Sequence, residues 1–318
     1  MNSVDKIAVC SRSFSKNPIL RSELLNAYSN VTFNDAGRQL KGEELLEFLV
    51  GHDKAIVALE PLDDFVLSRL PQLKVVSKYG VGLDGIDIAS MHKHGKFLGW
   101  TGGVNKRSVS ELTLAFILLM LRNLPNNNRE VTSGIWRQNI GGMLSGRTVG
   151  IIGCGNIGKD LIEILRPFNC KVLVNDILEF REFYEHNMIT ATSLDELLRS
   201  SDIVTLHVPL DKTTEMMIGA PELKIMKPTA ILINVARGGL VDEFALKNAI
   251  QEGDIAGAAF DVFAEEPPQD QELIKLHNFF ATSHIGGSAS EAILAMGRAA
   301  IAGLNINKIP EKYDAKLF

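Results

Sequence analysis

The feature that most constrains the fold is an alternation. Nine short β-rich apolar runs, "KIAVC", "AIVAL", "KVVSKYG", "TVGIIG", "KVLVND", "DIVTLHV", "AILINVA", "IAGAAFDV" and "FFATSHIGG", are interleaved with amphipathic segments. That pattern predicts α/β architecture, with parallel sheets covered by helices on both faces. The runs fall into two groups separated by "TGGVNKRSVSELTLAFILLMLRNL", in which Leu112, Ala115, Phe116, Leu119 and Met120 keep helical spacing after a loop rich in Gly and Ser. This segment reads as a helix joining two α/β domains, and 318 residues are enough for two medium cores. After Gly287 comes one further helix-like stretch, "SEAILAMGRAAIAGLN", and a polar tail, so the C-terminal end is expected to return to the first domain.

Composition removes several function classes. The formal net charge is −5 and no Lys/Arg run stands out, so the chain shows no electrostatic footprint for nucleic acid or an anionic membrane. The apolar run "IAVC" near the N-terminus is too short for a signal-peptide core, and Leu114–Leu121 is less than half a membrane span, which points to a cytoplasmic protein. Cys10, Cys154 and Cys170 are scattered without metal-ligand spacing, so neither a disulfide framework nor a metal site is expected, and none reads as catalytic. His92 and His94, flanking Lys93, read as a solvated helix surface, and "DQE" after "EEPP" as an exposed loop.

The stretch "TVGIIGCGNIGKD" runs a strand into Gly153, Gly155 and Gly158, spaced G-x-G-x-x-G. Gly153 permits a tight turn, Gly155 lets backbone approach a pyrophosphate and Gly158 allows close helix-to-strand packing, leaving helix N-terminal N–H groups, around Asn156 and Ile157, aimed at phosphates. Asp176 ends the next strand with seventeen residues between it and Gly158, where a carboxylate would receive the adenosine ribose hydroxyls. A dinucleotide is expected here. NAD is preferred over NADP, because the carboxylate repels a 2′-phosphate and the nearest cation, Arg181, lies beyond Glu179.

Ligands in open α/β sheets sit at the C-terminal ends of the strands, so ionisable groups there carry the chemistry. "INVARGG" ends a strand with Ala236 and Arg237, "DVFAEEPP" follows a strand with Glu266, and "ATSHIGG" ends one with His284. Arginine forks two N–H bonds onto a carboxylate, histidine exchanges a proton near neutral pH, and a glutamate beside it raises its basicity and fixes its orientation.

Those motifs, together with "KYGVGLDGID", "SVSELTLAFIL", "LINVARGGLVDE" and "HIGGSASEA", resemble in order the D-isomer-specific 2-hydroxyacid dehydrogenase family over nearly the whole chain, and within it most closely the phosphoglycerate dehydrogenase branch. The resemblance implies two doubly wound parallel-sheet (Rossmann-like) domains with a cleft between them. Residues 1–100 and 288–318 would form the substrate-binding domain and 101–287 the NAD-binding domain. It implies that Arg237 binds the substrate carboxylate and polarises its oxo group, that His284 is the acid/base and that Glu266 is its partner. It further implies that Asp261 contacts the nicotinamide amide, that His207 and Pro209 of "LHVP", with Ala236, wall the cofactor pocket, and that the loop Gly80, Val81, Gly82 receives the substrate carboxylate. A homodimer is expected. No ligand-sensing regulatory domain is expected after "HIGG". The phosphoglycerate reading competes with that of a glyoxylate/hydroxypyruvate reductase, since an arginine common in phosphoglycerate enzymes is missing near "ALEPL". A non-catalytic NAD(H)-sensing protein is the rival from another class. Arg12 and Glu60, at the strand ends "CSRSF" and "ALEPL", are expected to face the distal end of the substrate, with Arg12 receiving a phosphate or carboxylate there, assisted by Lys78 or by Arg107, which with Lys106 is expected in the joining loop.

Overall fold

The computed structural model describes residues 3–311. The chain divides into two compact units, one built from the residues up to Asn105 with those from Ser290 onward, the other from Lys106–Ala289.

The first unit is a parallel sheet of β1 (Ser3–Val9), β2 (Tyr28–Phe33), β3 (Lys54–Val57), β4 (Val75–Lys78) and β5 (Phe97–Gly99), in the order β2-β1-β3-β4-β5. Ile7, Ala8 and Val9 of β1 and Ala55, Ile56 and Val57 of β3 are fully buried, as expected of central strands covered on both faces. From β1 the chain turns to β2 on one side and then crosses to β3 on the other, so a topological switch point lies between β1 and β3. The helix Ser290–Gly303 packs onto this sheet. Ser77 Oγ donates to Ala300 O at 2.6 Å, and a Cβ on Gly99 would lie 2.2 Å from Gly303 O, so only glycine allows that approach.

The second unit is a seven-stranded parallel sheet of β6 (Thr148–Ile152), β7 (Lys171–Asn175), β8 (Thr190–Ala191), β9 (Ile203–Leu206), β10 (Ile231–Asn234), β11 (Gly257–Phe260) and β12 (Phe279–Ala281). Its order, β12-β11-β10-β9-β6-β7-β8, is the doubly wound dinucleotide-binding arrangement, with the switch point between β6 and β9. Alternate residues serve opposite faces: Ile231 and Ile233 join the core around Phe116, Ile117 and Leu161, while Leu232 joins Leu197, Leu223 and Leu246.

Several expectations need correcting. Strands β2, β5 and β8 lie outside the nine runs, because each is an edge strand and is short or partly exposed. The helix read from Leu112 begins at Lys106, so Lys106 and Arg107 belong to its first turn and not to a joining loop. His94 is half-buried and its Nε2 donates to Asp64 Oδ1 at 2.8 Å, whereas His92 is exposed, with Nδ1 3.0 Å from Pro310 O. Asp270 caps a short helix, Gln271–Lys275, and pairs with Lys247 at 2.8 Å, so "DQE" is not simply loop. Among the described residues no single helix is long and apolar enough to cross a membrane.

Candidate active site

The glycine turn follows β6 and opens the helix Asn156–Leu165. Gly153 takes φ +95°, and a Cβ there would lie 2.5 Å from His207 O, while a Cβ on Gly158 would lie 2.2 Å from Gly153 O. Both positions therefore require glycine. Gly155 differs, because a Cβ on it would meet nothing within 4 Å. Gly155 and Asn156 are exposed, Ile157 is half-buried, and the helix has no side-chain cap at its N-terminus. An open approach to uncapped helix N–H groups is what a pyrophosphate needs.

Asp176, just past β7, accepts from Cys154 N at 2.6 Å and from Leu178 N at 2.8 Å. The first bond ties the carboxylate to the glycine turn, and a carboxylate with two N–H partners keeps lone pairs for ribose hydroxyls. Arg181 is held by Glu179 at 2.8 Å. After β9, burial pushes the His207 imidazole down to about 3, so the ring is neutral; Nε2 lies 3.0 Å from Thr205 Oγ1, and Nδ1 is buried without a partner. Pro209 beyond it is exposed. The residues fit NAD: open glycine backbone, a placed carboxylate and an unpartnered buried nitrogen. Burial pushes the Cys154 thiol up to about 11, which removes it as a nucleophile.

The ionisable groups sit after β10, β11 and β12. Arg237 is carried by a turn that Asn234, 1% exposed, holds from both sides: Asn234 Nδ2 donates to Arg237 O at 2.8 Å and Ala236 N donates to Asn234 Oδ1 at 3.1 Å. Arg237 Nη1 donates to Ala236 O at 2.7 Å. A Cβ on Gly238 would lie 1.9 Å from the Phe263 carbonyl, so this turn is pressed against the backbone leading to Glu266. Phe263 N in turn donates to Glu266 Oε1 at 3.2 Å.

His284 Nδ1 lies 2.9 Å from Glu266 Oε2 and 3.1 Å from Oε1. With Glu266 accepting the Nδ1 proton, Nε2 is the atom that exchanges a proton with a substrate, and Nε2 makes no hydrogen bond among the described residues. The backbone of His284 is in the left-handed region, φ +56°, which costs a non-glycine residue roughly 1–2 kcal/mol. Asp261, 1% exposed, supplies the constraint: Oδ1 accepts from Thr282 Oγ1 at 2.5 Å and from Ile285 N at 2.7 Å, and Oδ2 accepts from Gly286 N at 2.7 Å. Three of about four acceptor positions are thus taken by the loop that carries His284, leaving one for any nicotinamide amide.

The positioning residues Asn234, Thr282 and Ser108, whose Oγ donates to Gly286 O at 2.6 Å, were not singled out from sequence. Their only signal is a small polar residue at a strand or helix end.

In the first unit, Gly80 takes φ +115° just after β4, and Trp100 Nε1 donates to Val81 O at 2.8 Å, fixing the loop through Gly82. Arg12 is exposed at the start of the short helix Arg12–Lys16 that follows β1. Glu60 and Lys78 depart from expectation. Glu60 is buried and its carboxylate accepts from Ala58 N at 2.6 Å, while Lys78 is buried and donates to Ala58 O. Arg107 pairs with Asp160 at 3.0 Å in the second unit.

Fold, turn and strand-end groups define the class as an NAD-dependent oxidoreductase acting on 2-hydroxy acids. The family model for the D-isomer specific 2-hydroxyacid dehydrogenase NAD binding domain matches residues 114–286. A glyoxylate reductase of Thermococcus litoralis is 39% identical over 249 residues, 75% of each chain. A D-3-phosphoglycerate dehydrogenase of Methanocaldococcus jannaschii is 37% identical over 262 residues, covering 81% of this chain and 50% of that one. A solved structure from Polaromonas, described as a D-isomer specific 2-hydroxyacid dehydrogenase, superimposes with a TM-score of 0.86 at 27% identity over 95% of each chain. The chain belongs to the D-isomer-specific 2-hydroxyacid dehydrogenase family. Most of the similar curated relatives are named glyoxylate reductases rather than phosphoglycerate dehydrogenases.

Proposed function

We propose that the protein reduces short 2-oxo acids of the glyoxylate and hydroxypyruvate type with NADH, and oxidises the matching D-2-hydroxy acids in reverse. The observation that carries this reading is the His284–Glu266 contact at 2.9 Å, held on a loop whose geometry Asp261 dictates. NADH, when bound, supplies the hydride. Arg237 offers a planar fork to the substrate carboxylate and stabilises negative charge as it develops on the oxo oxygen. Protonated His284 delivers its Nε2 proton to that oxygen, and Glu266 holds the ring in the required tautomer and offsets its charge. In oxidation His284 takes the proton back.

The names of the relatives support glyoxylate as substrate, and the absence of an arginine near "ALEPL" agrees with them. Steady-state oxidation of NADH against a panel of 2-oxo acids tests the reading. Turnover of glyoxylate and hydroxypyruvate is expected, and preference for pyruvate or branched 2-oxo acids refutes it. The segment 131–143 exposes Trp136 (88%), Ile140 (100%) and Met143 (75%), an apolar stretch suited to burial against a second copy, which supports a homodimer. Sedimentation of wild type and Trp136→Lys reads that directly: a monomeric wild type refutes it.

A further inference from the structure

The segment that carries Glu266 follows β11 and is anchored by burial at its start. Phe263 is buried, with its ring centroid 6.2 Å from that of Phe260 and 6.3 Å from that of Phe279, whereas Ala264, Glu265 and Glu266 beyond it are exposed. Burial therefore fixes where the segment begins and not which way it runs. Gly238 lies against the Phe263–Ala264 peptide, since a Cβ on it would fall 1.9 Å from Phe263 C and 2.4 Å from Ala264 N. Such a wall resists approach of the peptide and leaves it free to tilt away.

The restraint on tilting comes from another element. Ala264 N donates to Glu243 Oε1 at 2.7 Å, a bond between residues 21 apart in sequence. Glu243 is the first residue of the helix Glu243–Glu252, and its carboxylate has two closer uses. The first is the free N–H groups of its own first turn, but Asp242 already accepts from Phe244 N and Ala245 N at 3.0 Å. The second is Lys247, four residues on, a spacing that favours a Glu–Lys pair. Lys247 instead pairs with Asp270 at 2.8 Å and Glu272 at 3.1 Å, and Glu243 makes no ion pair among the described residues. The carboxyl is half-buried, and burial, with Asp270 and Asp242 adding to it, pushes its pKa above the ordinary value. The Ala264 N–H is the group that favours its charge. A carboxylate retained against its surroundings and directed at one N–H of an exposed segment has a task in placing that segment.

Consecutive N–H groups thus go to two carboxylates, Phe263 N to Glu266 Oε1 at 3.2 Å and Ala264 N to Glu243. The first bond turns the Glu266 side chain back over the segment, so a tilt at Ala264 moves the carboxylate that reaches His284 Nδ1 at 2.9 Å. We propose that Glu243 is a positioning residue for the proton-transfer step: by holding Ala264 N it sets the direction of the segment, and with it the Glu266 carboxylate that fixes the His284 ring. The inference rests on the dehydrogenase reading of that pair.

The test measures kcat and KM for NADH-dependent glyoxylate reduction in wild type, Glu243→Ala, Glu243→Gln, Glu266→Gln and the Glu243→Ala/Glu266→Gln double variant, with a melt to check that each is folded. Glutamine keeps an oxygen for Ala264 N, and alanine does not. Glu243→Ala should lower kcat by roughly tenfold, within the about 10²-fold that a misplacement of about 1 Å costs, with KM for NADH nearly kept, and Glu243→Gln should recover most of the loss. Because Glu243 acts through Glu266, the double variant should be slower than Glu266→Gln by no more than about twofold. Losses that multiply, a glutamine variant as slow as the alanine one, or a Glu243→Ala kcat within about twofold of wild type overturn the role. The second readout needs no turnover. At pH about 8.5, above the ordinary imidazole range, the ring nitrogen NMR shifts of His284, assigned by their loss in His284→Asn, report which nitrogen carries the proton. Wild type and Glu243→Gln should show the proton on Nδ1, and Glu243→Ala should shift population to Nε2; an unchanged tautomer overturns the role. A wild type that reduces no 2-oxo acid, with the tautomer still responding to Glu243→Ala, refutes the dehydrogenase reading and leaves the positioning of Glu266 standing.

Discussion

Replacing Asp261 by Asn separates two roles for one carboxylate. The side chain is 1% exposed and accepts from Thr282 Oγ1, Ile285 N and Gly286 N. An amide can keep its oxygen on Thr282 and Ile285, but it then turns an NH₂ group onto Gly286 N–H, donor against donor. Losing a buried hydrogen bond to a charged acceptor costs about 1.5–3 kcal/mol, and leaving the Gly286 N–H unsatisfied and the other two bonds uncharged brings the total to about 3–5 kcal/mol. For a unit of this size that is about 6–20 °C in Tm. The same loosening lets His284 leave φ +56°, and a misplacement of about 1 Å at an acid/base costs about 10²-fold in kcat.

Urea unfolding, kcat and the NADH Kd, measured on the same preparations, decide the matter. A clamp predicts lost stability and lost kcat with NADH affinity nearly kept. A direct contact to the nicotinamide amide predicts the opposite, a raised Kd with stability intact. An Asp261→Asn protein melting within about 2 °C of wild type with kcat within about threefold would refute the clamp.

Glu266→Gln should lower kcat for reduction with NADH affinity nearly kept, because the neutral amide no longer offsets the charge of the ring it orients, and an unchanged kcat would contradict the pairing. Arg237→Lys should keep NADH binding but lose most turnover, since an ammonium cannot span both carboxylate oxygens in one geometry; near-normal kcat/KM would place the substrate carboxylate elsewhere. His207, held near 3 in the folded protein, gains its proton in the unfolded chain as pH falls below about 6.5, so its contribution is complete above that pH and is lost on acidification, by up to about 2 kcal/mol at pH 5. Tm against pH between 7.5 and 5 should therefore be flatter in His207→Asn, and parallel curves would show that the ring is not held neutral.

The central strands were legible because burial on both faces makes them continuously apolar, and β1, β3, β6, β9, β10 and β11 all carry that mark. Edge strands such as β2 carry no such mark: its burial alternates irregularly, and only one side pairs. Arg237, Glu266 and His284 could be found for a similar reason, since strand ends are local in sequence and ligands gather there. What could not be found locally depends on which loops meet. Asn234 gives no sign that it braces the turn of Arg237, and the buried Lys78 looks like any charge at a strand end until the Ala58 carbonyl appears beside it. A cavity lined by Arg12, Lys16, Lys41 and Glu60 shows the limit most clearly. Arg12, in the helix turn after β1, and Glu60, after β3, line one cavity only because β3 pairs with β1 on the side opposite β2. Had β3 added beyond β2, the β1 and β3 loops would be separated by a strand and Glu60 would not share a wall with Arg12. The strand order therefore decides whether those charges meet, and a pattern of apolar runs contains the central strands but not their order.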